Sequence, residues 1–223
     1  MMKDIKNREK RGIFITFEGP EGAGKSTQVA MLLEYFKKNG IPAVTTREPG
    51  GTALAEKIRE VVKGHSGSEK LHPETELLLM EAARSQHVRE FILPQLEKGI
   101  TVICDRFSDS SLAYQGGARG IGESSIKWLN SFASAELAPD LTFLLDLTPE
   151  SGFARTRKRA ETAGCFDRFE AEKIDFHHSV RQSFLALAAA EPERIMVIDA
   201  DRCAETVHAD IVRVTDEFVQ SIQ

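Results

Sequence analysis

The sequence has few cysteines, no long apolar run and no excess of positive charge. Its three cysteines, Cys104, Cys165 and Cys203, lie far apart and form no C-x-x-C pair. That pattern argues against a disulfide framework or a zinc site and favours a reducing compartment, so we expect a cytoplasmic protein. No run of about eighteen apolar residues occurs, and we therefore expect no membrane partner. Residues 1–11 are charged and lack the apolar core of a signal peptide.

The net charge of −5 and the pI near 5.8 indicate no general attraction to nucleic acid, so we expect no nucleic-acid partner. Any anionic ligand must therefore bind at a local basic site. The 223 residues, 41% of them hydrophobic and 28% charged, suit one substantial globular domain. We predict a charged, flexible extension over residues 1–11 and a single domain over residues 12–223.

The clearest motif lies near the start of that domain and matches G-x-x-x-x-G-K-[ST]. Its eight residues and the one that follows are predicted to bind ATP: Gly19, Pro20, Glu21, Gly22, Ala23, Gly24, Lys25, Ser26 and Thr27. Glycines let the backbone N–H groups surround a polyphosphate, and the following helix adds its positive end. Lys25 is expected to reach the β- and γ-phosphates and Ser26 to bind Mg²⁺. The motif lies between a predicted strand at 12–17 and a predicted helix at 28–36, which is the required context.

Short apolar strands alternate with helical patterns along the rest of the chain. Further strands are predicted at 41–46, 100–104, 141–147 and 195–199, and helices at 53–63, 73–91, 124–137, from 149, from 168 to about 190 and at 204–219. Residues 107–122 are polar and rich in glycine. Such alternation predicts a five-stranded parallel α/β sheet with helices on both faces, the P-loop NTPase fold. Ligands should lie at the carboxyl ends of its strands, where Gly19, Arg47, Asp105 and Asp146 would meet.

Arginines at several of these strand ends and helix faces indicate a second anion site. They are Arg47, Arg84, Arg106, Arg155, Arg157, Arg159 and Arg168. One phosphate loop already binds one triphosphate, and arginine offers phosphate a planar set of donors. Each arginine taken alone could equally be a surface charge. Together they favour a second phosphorylated ligand.

Five segments together resemble the bacterial thymidylate kinases, which are P-loop nucleoside monophosphate kinases. They are 19–27, Arg47-Glu48-Pro49-Gly50-Gly51-Thr52, Asp105-Arg106-Phe107, Tyr114-Gln115-Gly116-Gly117 and Asp167-Arg168-Phe169-Glu170. The resemblance covers nearly all of residues 12–219. It implies the conversion of ATP and dTMP to ADP and dTDP, in dTTP synthesis, with Mg²⁺ as cofactor. It also implies a mobile lid over about residues 149–170 and a homodimer, although the helices around 73–92 could instead be buried within the monomer.

The resemblance also assigns roles around the dTMP phosphate and sugar. Glu21 matches a carboxylate near the 3′-hydroxyl and the metal, and Arg47 and Arg106 match residues that hold the phosphate. Tyr114 matches a ring that crowds the 2′ position. Asp105 is predicted either to bind the metal through water or to orient Arg106.

On the base side, the resemblance places Arg84 at thymine O4, Ser111 at N3 and Gln115 nearby. Met80 departs from the family, which usually has a phenylalanine four residues before the arginine. Met80 and Arg84 share a helix face, so Met80 can still cover thymine through its sulfur. We predict a weaker base site with retained activity.

The acceptor phosphate needs no catalytic base, since its second pKa is about 6. The remaining difficulty is to bring two anions together while negative charge spreads over the transferring phosphoryl group. Some family members carry an arginine where this chain has Gly22. We therefore expect that Arg155 or Arg159 of the lid binds ATP at the β/γ bridge on closure and supplies that charge, supported by Arg168. The predicted catalytic set is Lys25, Glu21, Arg106, Arg155 and Arg159.

Two other functions fit parts of the sequence. One is a kinase for another nucleoside monophosphate or a small phosphorylated metabolite. The other is a P-loop switch that hydrolyses its nucleotide, although the chain has no N-K-x-D guanine motif. A switch also leaves the second anion site unexplained.

Overall fold

The computed structural model describes residues 11–64, 69–163 and 168–222, and for residues 158–163 it describes the backbone alone. Residues 1–10 of the predicted extension lie outside the described residues. Arg11, the last residue of that extension, donates to Asp140 Oδ1 at 2.7 Å. No helix within the described ranges is long and apolar enough to cross a membrane.

Five strands form one sheet: β1 (Phe14–Glu18), β2 (Ala43–Arg47), β3 (Thr101–Asp105), β4 (Leu141–Asp146) and β5 (Ile195–Asp199). Their order is β2-β3-β1-β4-β5, and every neighbouring pair is parallel. The central strand β1 is buried along its whole length, as expected for an apolar strand that is covered on both faces. The predicted five-stranded parallel sheet is confirmed.

Nine α-helices of the described residues surround the sheet. They are α1 (Lys25–Lys38), α2 (Ala53–Gly64), α3 (Pro73–His87), α4 (Leu93–Glu97), α5 (Ser108–Ser111), α6 (Glu123–Ala133), α7 (Pro149–Ala163), α8 (Ile174–Ala190) and α9 (Ala204–Ser221). Two π-helical segments, Val88–Ile92 and Leu112–Ala118, continue α3 and α5. The helix predicted from residue 168 begins only at Ile174.

Alternate residues of β1 face opposite layers of the core. Ile15 and Phe17 pack with Leu32 and Phe36 of α1 and with Ile211 of α9. On the other face, Phe14 packs with residues of the first π-helical segment and of β3, among them the buried Cys104. Because successive side chains of a strand point to opposite faces of the sheet, β1 contributes to the core under both helix layers.

The stretch after β3 has more regular structure than its glycine content indicates. Helix α5 runs directly into the π-helical segment Leu112–Ala118, so the two form one continuous helix. Ala113, Tyr114 and Gln115 of this helix are buried. Tyr114 packs against Phe184 of α8 and against Phe169 at the end of the predicted lid, and Ala113 belongs to the same cluster. Tertiary packing therefore stabilises a helix that the polar and glycine-rich sequence does not suggest.

Candidate functional site

A cleft of about 390 Å³ lies at the carboxyl ends of β1, β2 and β3, within the size range of small-molecule sites. It brings together most of the predicted site residues, including Glu21, Gly22, Gly24, Lys25, Ser26, Thr27, Arg47, Met80, Arg84, Asp105, Arg106, Ser111, Tyr114, Gln115 and Arg155. This is the edge of the sheet that the strand order predicts for a ligand.

The phosphate loop joins β1 to α1, and Lys25 is the first residue of that helix. The Lys25 Nζ donates to the carbonyl oxygens of Gly19 at 3.1 Å and Pro20 at 2.9 Å. Burial and the nearby Arg106 guanidinium lower the pKa of Lys25 to about 8. The ammonium is therefore still mostly protonated at neutral pH and can attract phosphate.

Gly22 of the loop lies directly against the first turn of α7. Its φ is +76°, and a Cβ atom there would lie 2.6 Å from the carbonyl oxygen of Gly152. A Cβ on Gly152 would in turn lie 2.5 Å from the Glu21 carbonyl oxygen. A larger residue at either position would push α7 away from the loop, so a loop arginine at position 22 does not fit this arrangement.

Ser26 and Asp105 come together at the start of α1 and the end of β3. The Ser26 hydroxyl donates to Asp105 Oδ2 at 2.5 Å. Hydroxyl and carboxylate oxygens are the ligands Mg²⁺ prefers, and Mg²⁺ sites often use one or two carboxylates together with substrate phosphates. Across residues 11–64, 69–163 and 168–222, no three histidine, cysteine or acidic side chains group into a metal cage. The pair therefore fits a metal that is shared with a bound phosphate.

Arg106 lines the cleft and bridges the loop to the second π-helical segment. Its Nη2 donates to Glu21 Oε1 at 2.7 Å and to the Tyr114 hydroxyl at 3.0 Å, and its Nη1 donates to the Gly19 carbonyl at 3.0 Å. Burial alone would raise the pKa of Glu21, but Arg106 and Lys25 outweigh it and lower that pKa to about 2. Glu21 is thus a carboxylate at all physiological pH values.

Arg47, at the end of β2, lies at the exposed rim of the cleft. Its Nη2 donates to Glu56 Oε2 of α2 at 2.9 Å, and the side chain is 54% exposed. An exposed ion pair of this kind contributes little stability. Arg47 can therefore exchange Glu56 for an anionic ligand at small cost.

Arg84 is only 3% exposed, and protein atoms surround its guanidinium. Its acceptors are Glu48 Oε2, Glu81 Oε1, Asn130 Oδ1, Ser111 Oγ and the Phe107 carbonyl. These partners come from four different segments of the chain, since Phe107 and Ser111 both belong to α5 and its N-cap. They fix the orientation of Arg84. Both Arg84 and Met80, which precedes it by one helical turn, line the cleft.

The other base-side residues are arranged around Arg84. Met80 is half-buried and packs against the hydrophobic cluster that contains Tyr114. Gln115 is 2% exposed, and its Nε2 donates to the buried Glu76 Oε1 at 2.7 Å. Ser111 donates to Glu81 Oε1 at 3.0 Å. All four predicted base-side residues line the cleft.

The lid arginines do not all lie at the cleft. Arg155 lines it, while its guanidinium donates to the Ala200 carbonyl at 3.0 Å and to Asp201 Oδ1 at 3.1 Å. Arg168 instead donates to Glu76 Oε2 at 2.6 Å and to the Val62 carbonyl. The side chain of Arg159 lies outside the described residues.

The sequence interpretation missed several residues that hold the predicted ones in place. They are Glu18 and Ser110 around Arg106, Glu48, Glu81 and Asn130 around Arg84, and Glu76 beside Gln115. Glu18 and Glu48 do carry a signal, because each lies at the end of a strand beside a predicted site residue. Nothing in the local sequence marks Glu76, Glu81 or Asn130.

Comparisons with known proteins show which proteins the chain is similar to. The family profile described as thymidylate kinase matches residues 17–211. A thymidylate kinase of Pseudomonas fluorescens (strain SBW25) is 53% identical over 189 residues, covering 85% of this chain and 88% of that protein. One from Pelobacter propionicus is 48% identical over 203 residues, covering 90% and 92%. The crystal structure of thymidylate kinase from Ehrlichia chaffeensis superposes with a TM-score of 0.73 at 34% identity, covering 92% of this chain and 99% of that one.

Proposed function

Because the chain belongs to the thymidylate kinase family, whose members convert ATP and dTMP to ADP and dTDP, we propose that its cleft carries out this phosphoryl transfer with Mg²⁺, in dTTP synthesis. The observation that carries the proposal is the position of Arg106. Its guanidinium lies between the phosphate loop and Tyr114. It can therefore hold an acceptor phosphate beside the ATP γ-phosphate.

The loop residues bind the ATP phosphates through their N–H groups, and Lys25 contributes its positive charge. Ser26 and Asp105 would hold Mg²⁺, either directly or, for Asp105, through water. When bound, that ion neutralises charge on the β- and γ-phosphates. Their mutual hydrogen bond of 2.5 Å supports this assignment.

The acceptor half of the cleft holds dTMP by its phosphate, sugar and base. Arg47 and Arg106 bind the phosphate, Glu21 faces the 3′-hydroxyl, and the Tyr114 ring crowds the 2′ position. The acceptor phosphate is already a dianion at neutral pH because its second pKa is about 6. The chain therefore supplies charge and position for an in-line transfer, and no base is required.

An ADP-release assay across acceptors tests this function. We expect strong dependence on dTMP, with dUMP, dGMP, dCMP, AMP and no acceptor all much slower, and loss of activity when Mg²⁺ is chelated. Preference for another monophosphate would support the alternative kinase. ATP hydrolysis at the same rate with and without an acceptor would support the P-loop switch instead.

Met80 is expected to make the base site looser than a phenylalanine would. Aromatic stacking contributes about 0.5–1.5 kcal/mol and a sulfur–aromatic contact about 0.3–1.5 kcal/mol. Because the two ranges largely overlap, Met80→Phe should lower the Kd for dTMP by at most about sevenfold, measured by calorimetry. Met80→Leu, which has neither sulfur nor ring, is the matched control and should bind no more tightly than the wild type. A higher Kd for the Phe variant would contradict this view of the site.

The protein is also proposed to act as a homodimer through α3 and α6. These helices pack side by side, and their outer face exposes Leu78, Trp128 and Phe132, which are 56%, 66% and 67% exposed. The two aromatic rings stack with centroids 5.8 Å apart. Analytical ultracentrifugation should show a dimer that Trp128→Glu converts to monomer, and a wild-type monomer at micromolar concentration would refute the proposal.

A cytoplasmic location stays a prediction from the cysteine pattern.

A further inference from the structure

Arg106 has a backbone conformation that is uncommon for a residue with a side chain. Its φ is +73°, in the left-handed region, which costs an L-residue about 1–2 kcal/mol. This turn directs the side chain from the end of β3 back over the phosphate loop. Some neighbouring group must therefore stabilise the backbone on either side of Arg106.

Glu18, the last residue of β1, provides that stabilisation. It is 1% exposed, and its Oε1 accepts the backbone N–H of Phe107 at 2.7 Å. On the other side, the Arg106 N–H donates to the Phe17 carbonyl at 2.9 Å. The amides of residues 106 and 107 are thus both bound to the end of β1.

The second oxygen of Glu18 reaches the Arg106 side chain through Ser110. The Ser110 hydroxyl donates to Glu18 Oε2 at 2.6 Å and accepts from Arg106 Nη1 at 3.2 Å. Because Glu18 accepts the hydroxyl proton, a lone pair of Ser110 Oγ faces the guanidinium. One buried carboxylate therefore orders both the backbone and the side chain of Arg106.

We propose that Glu18 is a positioning residue for phosphoryl transfer, holding Arg106 in the geometry that binds the dTMP phosphate. Glu18 acts from behind the cleft wall and does not touch either nucleotide. This inference rests on the proposed role of Arg106. Burial and Asp109 raise the pKa of Glu18 to about 7, although Arg106 and the hydrogen bonds from Ser110 and Phe107 lower it. Lys25 has a pKa of about 8, so assays belong near pH 7.5, where the Glu18 carboxylate and the Lys25 ammonium both predominate.

Glu18→Gln keeps the shape and one acceptor oxygen but presents an NH₂ group to Ser110. Ser110 then accepts that N–H, and its lone pair is no longer reserved for Arg106. We expect kcat/KM for dTMP to fall by about tenfold to a hundredfold, with KM for ATP within about threefold. Ser110→Ala, which keeps the Glu18 bond to Phe107, should show a smaller loss of the same kind.

Asp140→Asn is the matched control, because Asp140 also accepts a backbone N–H of β1, that of Phe14, and pairs with an arginine, but at the opposite end of the sheet. It should lower the melting temperature while kcat and KM stay unchanged. If Glu18→Gln likewise changed only the melting temperature, Glu18 would be structural and the inference would be wrong.

A double-mutant cycle separates this inference from the proposed function. In an Arg106→Ala background, Glu18→Gln should change kcat/KM for dTMP by less than about twofold, since its effect passes through Arg106. A full additional loss would show that Glu18 acts by another route. If Arg106→Ala itself kept wild-type kinetics, the proposed role of Arg106 would fail instead.

Discussion

Arg106→Ala is expected to lower kcat/KM for dTMP by about 10³-fold or more, the scale of other arginines that stabilise phosphoryl transfer. Three effects of the loss combine. The acceptor phosphate loses its main cation, the Glu21 carboxylate loses its 2.7 Å partner, and the Tyr114 hydroxyl loses a donor. Steady-state kinetics with varied dTMP at saturating ATP would measure the change.

Arg106→Gly separates the charge from the backbone. Glycine accepts a φ of +73° without strain, whereas alanine there costs about 1–2 kcal/mol. The two variants should therefore lose activity equally, while the glycine variant unfolds at the higher temperature. If glycine restored much of the activity, the backbone turn rather than the guanidinium would explain the loss. Arg106→Lys should also stay impaired, because lysine lacks the planar set of donors.

The second large effect is expected in the lid. Gly22 leaves the phosphate loop without an arginine, and its contact with Gly152 leaves no room for one. We therefore predict that Arg155→Ala or Arg159→Ala lowers kcat by about 10³-fold. Rapid-quench measurements of the transfer step would identify which of the two contributes. If kcat of each variant fell by less than about tenfold, the lid would not supply the missing charge.

Asp201→Asn provides a matched control for Arg155. Arg155 donates to Asp201 and to the Ala200 carbonyl, so it must leave these acceptors to reach the β/γ bridge. If Arg155 is the arginine that stabilises the transferred phosphoryl group, weakening its contact with Asp201 should leave kcat unchanged or raise it. A loss of kcat that matches Arg155→Ala would instead mean that Arg155 acts where it lies, beside the loop after β5.

Much of the fold follows from local patterns. The apolar strands alternate with helices, and their observed bounds differ from the predicted ones by only a few residues, as β1 and β5 show. The segment Leu112–Ala118 is the main exception. It is helical because its buried side chains pack on α8, a contact with residues far along the chain.

The site, like the fold, was predicted in part from the sequence. The phosphate loop, the strand-end arginines and the base-side residues were predicted from motifs and from the resemblance, and most of them line one cleft. Their roles in binding and transfer stay predictions, as does the lid. Arg168 is the clearest difference in position, since it binds Glu76 and not the phosphate region.

The sequence by itself determined the parallel sheet, the nucleotide loop and the family, because each depends on residues adjacent in the chain or on strand ends that a parallel sheet brings together. Only the tertiary structure decided how the arginines are held. Glu18 lies 89 residues from Phe107, and Asn130 lies 46 residues from Arg84. Such pairs have no local pattern, because their geometry depends on how whole elements pack, and it is this packing that orients Arg106 over the phosphate loop.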